Sequence, residues 1–120
     1  MKKHILIIDD EAVIRDILGL LLTKHDYRVT AVASAAAAIE SGRQDPPDLI
    51  ISDLQLEDAD GLEVIAQLKV MLPDVPVILL TGVFFEPKVI NDVLKAKVAC
   101  YLAKTSSLTQ ILESVRRFIG

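Results

Sequence analysis

Cysteine is nearly missing from this chain. Cys100 stands alone, so no internal disulfide can form, and no cysteine pair is spaced to hold a metal. Tryptophan is absent and aromatic residues make up 4% of the 120 residues, which leaves aliphatic side chains to build the core. Long apolar runs are missing too. The longest charge-free stretches, Val29–Ile39 and Val75–Phe85, are 11 residues each, against about 20 for a bilayer-spanning helix. The Met1-Lys2-Lys3 start is followed by an apolar run that Asp9, Asp10 and Glu11 cut short, which argues against a signal peptide. A basic excess is also lacking: 13 Lys and Arg face 17 Asp and Glu, for a net charge of −4. That balance argues against direct nucleic-acid binding, and the short apolar runs argue against a membrane partner.

What the chain has is 52% hydrophobic residues and 25% charged ones. This composition excludes disorder and suffices for a core without disulfide or metal staples. The length fits one domain of about 100–200 residues. We expect a single cytoplasmic domain over residues 1–120, with no output domain.

Apolar patterning alternates strand and helix five times. His4–Ile8 is a short, continuous apolar run, as in a strand covered on both faces. A helix follows over Ala12–Lys24, with Ile14, Ile17, Leu18 and Leu21 facing inward. Tyr27–Val32 reads as a second strand, and Ser34 caps a helix that stops near Gly42. Leu49–Ser52 is a third strand, followed by an acidic loop and a helix from Gly61 to Pro73. Val75–Leu80 is a fourth strand, 86–96 a fourth helix, Ala99–Leu102 a fifth strand, and Leu108 to Ile119 a last helix that buries Leu108. Such alternation implies an α/β fold, a parallel sheet with right-handed crossovers and helices on both faces. Ligands then bind beyond the carboxyl ends of the strands.

Those ends carry Asp9 and Asp10, then Asp53, Thr81 and Lys104. Three converging carboxylates repel one another, and a divalent cation such as Mg²⁺ relieves that repulsion. A hydroxyl and an ammonium opposite them fit the oxygens of a phosphoryl group. Each residue also has a plainer reading. Asp9 or Asp10 could cap the first helix, Asp53 could be a turn residue, Thr81 a cap, and Lys104 a solvated surface charge. The conjunction on four inner strand ends favours the site.

The stretches Ile5–Glu11, Asp48–Leu54, Asp60–Glu63, Val77–Gly82 and Tyr101–Lys104 resemble the receiver domain of two-component response regulators. Spacings of 43 residues from Asp10 to Asp53, 28 to Thr81 and 23 to Lys104 agree with it. The resemblance implies a flavodoxin-like doubly wound (βα)5 fold with strand order 2-1-3-4-5. It implies that Asp53 is the phosphoacceptor of a sensor histidine kinase or phosphotransfer protein. By the same resemblance, Mg²⁺ would be held by Asp10, Asp53 and the Gln55 backbone carbonyl, with Asp9 acting through a water, and Thr81, Lys104 and Gly82 would receive the phosphoryl group. Thr81 and Tyr101 form a switch that remodels the surface of the fourth helix, fifth strand and last helix toward a downstream target not identified by the sequence. The family is not enzymatic beyond its own phosphorylation and dephosphorylation.

Three positions depart from the family pattern. Thr105 replaces the proline that usually follows the lysine in a cis peptide, leaving cis and trans both open. Glu57 replaces a loop proline, which suggests a looser, more acidic loop, and the turn before the fifth strand has no glycine. Phe84 and Phe85 are either packed or a partner contact; His4 and His25 read as structural or surface residues, and Cys100 as a buried thiol. Gln55 and Val83 occupy positions that tune phosphoryl lifetime in the family, and we expect slow self-dephosphorylation. A receiver-like interaction module that takes no phosphate is the alternative. A phosphohydrolase is disfavoured because Gln55 stands where its general acid would be.

Overall fold

A computed structural model describes residues 2–54, 56–82 and 98–120, with the backbone alone at Thr81. The expected helix over 86–96, with Val83, Phe84 and Phe85, lies outside the described residues. Five strands, β1 (His4–Ile8), β2 (Arg28–Val32), β3 (Leu49–Ser52), β4 (Val77–Thr81) and β5 (Cys100–Ala103), form one sheet in the order β2-β1-β3-β4-β5. Every pairing is parallel. Four described helices join them: α1 (Ala12–Lys24), α2 (Ala35–Gln44), α3 (Gly61–Met71) and the C-terminal α4 (Leu108–Ile119).

The strand period of two divides the core into two layers. Ile5 and Ile7 of β1 point into a cluster with Leu18 and Leu22 of α1 and Ile111 and Val115 of α4. Leu6 and Ile8 point the other way, onto Ala38 of α2 and Val64, Ile65 and Leu68 of α3. β1 is therefore buried along its whole length, which is why its sequence is continuously apolar rather than alternating. Each buried Ile or Leu contributes about 1.5–3 kcal/mol relative to exposure, so the two layers fix the sheet register firmly.

Three expectations about the helices change. Ile17 is 41% exposed and Leu108 45% exposed, whereas Leu22 is fully buried. The inward stripe of α1 therefore runs through Ile14, Leu18, Leu21 and Leu22. Leu108 is the first residue of α4, at the rim of the layer rather than over it. Gly42 does not end α2, which continues to Gln44. A side chain at Gly42 would meet Leu68 at 3.1 Å, so this glycine permits close packing of α2 on α3.

The N-terminus of α2 is held from outside. Ser34 accepts from the Ala37 N–H at 3.2 Å, while the Asp58 carboxylate accepts from Ala35 at 2.9 Å and from Ala36 at 3.3 Å. The loop containing Glu57 is thus tied to α2 rather than loose. The Ala35 N–H above all holds the Asp58 carboxyl below its ordinary value. Asp58 binds its proton less readily in the folded chain, so its stabilisation is complete above the ordinary value of about 4 and is lost as pH falls through the lower native value. Asp58→Ala should lower the thermal midpoint at neutral pH, with the gap to wild type closing as pH falls through the lowered native value. A gap that stays constant over that range would remove this carboxylate as the source.

Candidate functional site

Parallel register decides which side chains meet. Ile8 lies beside Ser52, so the next residues, Asp9 and Asp53, leave β1 and β3 as neighbours. The Asp53 N–H donates to the Ile8 carbonyl at 2.9 Å, and the Asp9 N–H donates to the Val32 carbonyl at 3.1 Å. Thr81 pairs with Ala103, which places Lys104 just beyond the ladder at the same edge.

Asp9, Asp10 and Asp53 each bring a carboxylate oxygen within 4.8 Å of the other two. Asp9 and Asp53 are 2% and 6% exposed, and Asp10 is half-buried. The Lys104 ammonium stands 3.0 Å from Asp53 Oδ2 and 3.1 Å from Asp9 Oδ2, and it also donates to Glu11. Asp53 Oδ1 accepts the Leu54 N–H at 2.7 Å, so both oxygens of Asp53 have partners. Burial raises the Asp9 carboxyl above its ordinary range, against the lowering pull of the Glu11 N–H and Lys104. Burial works to lower the Lys104 ammonium, but its hydrogen bonds to Glu11, Asp53 and Asp9 outweigh that and raise it.

The plainer readings of Asp9, Asp10 and Lys104 do not describe this geometry. The N-cap of α1 is Glu11, which makes no side-chain cap bond; Asp9 Oδ1 instead accepts the Glu11 N–H at 2.9 Å. Lys104 is 15% exposed and held by three carboxylates. The described residues contain no cis peptide, so Lys104–Thr105 is trans, and Lys104 still reaches Asp53. Gly82 is exposed at the same edge, where an added Cβ would sit 3.9 Å from Lys104 Cδ, an ordinary contact. Tyr101 is half-buried against the α2–α3 layer. The Gln55 carbonyl and the Thr81 hydroxyl lie outside the described atoms. Cys100 is half-buried rather than buried, with an Arg117 nitrogen 3.6 Å from its sulfur. His4 is buried and structural, its Nε2 2.7 Å from the Thr30 hydroxyl.

Sequence reasoning passed over the Glu11 ion pair with Lys104, although Glu11 follows directly on the Asp9-Asp10 loop. The donor set of Asp9, Asp10 and Asp53 is all carboxylate oxygen, two of the three nearly buried. That combination can hold a hard divalent cation, which would relieve the cost of burying the Asp9 charge.

The sheet order and this edge define the chain's class, and sequence comparison agrees: the response regulator receiver domain family matches residues 5–116. The chain belongs to that family, the receiver domains of two-component systems. It is 38% identical over 119 residues to the response regulator protein VraR of Staphylococcus aureus (strain Mu3), covering 98% of this chain and 56% of that protein. The chain thus spans about half the length of the curated relatives it matches. A CheY-like receiver domain protein from Methanospirillum hungatei superposes with a TM-score of 0.90 at 25% identity, covering 98% of this chain and 93% of that one. A response regulator from Burkholderia pseudomallei, solved with a phosphorylated aspartic acid, a calcium ion and citrate, gives a TM-score of 0.83 at 27% identity, covering 97% and 72%.

Gly61 protects the loop behind Asp53. A Cβ there would lie 2.4 Å from the carbonyl oxygens of both Asp53 and Leu54, and neither backbone atom can step aside cheaply. Gly61→Ala should cost about 1–3 kcal/mol in urea unfolding, as overpacking does. Wild-type stability in that variant would show that the loop gives way freely.

Proposed function

We propose that this receiver domain is a phosphorylatable switch that accepts a phosphoryl group on Asp53 from a sensor histidine kinase or phosphotransfer protein, with Mg²⁺ as cofactor. One observation carries the reading: a nearly buried Asp53 carboxylate held between the Lys104 ammonium and the Asp9–Asp10 pair. The family membership supports it, as does the similar response regulator solved with a phosphorylated aspartic acid and a calcium ion.

An Asp53 carboxylate oxygen attacks phosphorus. The P–O bond forms as the P–N bond of the donor phosphohistidine breaks, the imidazole leaves, and an acyl phosphate remains. Lys104 meets the charge on one phosphoryl oxygen, and the Thr81 hydroxyl donates to another. Asp10, Asp53 and the Gln55 carbonyl would hold the cation, with Asp9 acting through water, and Gly82 would leave room for the donor. When bound, Mg²⁺ supplies charge neutralisation between the carboxylates and the phosphoryl oxygens. The domain turns over no separate substrate and hydrolyses at most its own acyl phosphate, slowly. The new dianion biases two packings of Thr81 and Tyr101, and the surface around β5, α4 and the helix expected over 86–96 reports the bias to a cytoplasmic target.

Intact mass after incubation with acetyl phosphate and Mg²⁺ tests this. The protein should gain the mass of one phosphoryl group, with no gain in Asp53→Ala or in chelator. Lys104→Ala should slow labelling by about a hundredfold, as loss of a positioned donor does. No adduct where a control receiver labels would leave the domain an interaction module without phosphoryl chemistry.

A further inference from the structure

Lys104 has three ammonium protons and three carboxylates that accept them: Asp9, Asp53 and Glu11. Two of those acceptors, Asp9 and Asp53, also belong to the trio able to hold a metal. The third member of that trio, Asp10, makes no ion pair with Lys104 among the described residues. Glu11 is the reverse case, a partner of Lys104 that stands outside the trio and is 58% exposed. A divalent cation and the Lys104 ammonium are therefore like charges drawing on the same two nearly buried carboxylates. Whatever occupies the trio weakens the hold of Asp9 and Asp53 on Lys104, and only a carboxylate outside the trio can then balance the ammonium.

We infer that Glu11 is a positioning residue, the carboxylate that keeps Lys104 at the mouth of the site when a divalent cation draws Asp9 and Asp53 away from it. The inference rests on the cation site proposed above. It follows from the division of acceptors rather than from the strength of one bond. Without Glu11, both remaining partners of Lys104 are groups the cation needs, so each cation bound must break ion pairs that nothing replaces. With Glu11, the ammonium shifts its weight onto a neighbour already bonded to it. Glu11 acts through Lys104 alone, so its effect must vanish when Lys104 carries no charge.

A double-mutant cycle on the unphosphorylated chain isolates that dependence. Mn²⁺ and Mg²⁺ affinities are measured by calorimetric titration and electron paramagnetic resonance for wild type, Glu11→Gln, Lys104→Met and the double variant. No phosphodonor is present. Glu11→Gln should weaken cation binding about two- to fivefold, the range an exposed ion pair supplies. In the Lys104→Met background the same change should have no effect. Equal weakening in both backgrounds would make Glu11 a general negative charge and overturn its role through Lys104. Unchanged or tighter binding in Glu11→Gln would overturn it as well. Failure of the wild type to bind either cation would instead refute the metal part of the proposed function, and this inference with it. Glu11→Gln changes an exposed side chain, and matching thermal unfolding in the metal-free state verifies that the fold is intact.

Discussion

Buried like charges at one sheet edge must be offset, and among the described residues one ammonium from the far end of the chain pairs with two of them, Asp9 and Asp53. Lys104 bonds to Asp9 across 95 residues and to Asp53 across 51, so it ties the ends of β1, β3 and β5 together. The tie exists because the parallel ladders hold their register: Ile8 beside Ser52 and Thr81 beside Ala103. Those registers in turn depend on the two aliphatic layers that bury β1 on both faces. A slip of one residue in β3 would turn its apolar set toward the wrong layer and carry Asp53 away from Asp9. Core packing and site chemistry are thus one constraint seen at different distances from the edge.

Much of this was legible in the sequence because the relevant signals are local. Short apolar runs of three or four residues marked β1 and β3, and Asp9, Asp10, Asp53 and Lys104 followed from reading only what comes after each strand. Element ends were less legible: β4 begins at Val77 rather than Val75, and β5 at Cys100. The errors share a cause. Ile17 and Leu108 look like core by spacing, but which of several apolar residues faces inward depends on how the helix rolls against the sheet. Gly42 looks like a helix stop, yet its role is set by Leu68 on another helix. No pattern within one segment contains that information.

The same limit applies to charge. Seven acids fall on two loops at the site edge, Asp9, Asp10, Glu11, Asp53, Glu57, Asp58 and Asp60, and the sequence invites one explanation for all of them. The structure divides them. Asp9, Asp10 and Asp53 converge. Asp60 caps α3 by accepting the Leu62 N–H at 2.9 Å, and Asp58 reaches the first N–H groups of α2. Negative charge at a helix N-terminus is stabilising in its own right, so these two acids need no metal to account for them. An acidic loop is a composition; its function is decided residue by residue, by what each oxygen accepts.

Thr105 shows how a local departure from a family pattern can leave a site intact. The family's cis proline sets the direction of the chain just after the lysine, and a trans Lys104–Thr105 peptide removes that device. Lys104 nevertheless reaches three carboxylates, because two stronger constraints place it: the β4–β5 ladder that ends at Ala103, and the charge it must balance. On the proposed function, the ladder brings the lysine to this edge and its carboxylate partners set where the ammonium rests there. A lysine placed that way is free to change partners without a change in the chain that carries it. The groups able to hold it after such an exchange become as important to the switch as the phosphoacceptor itself.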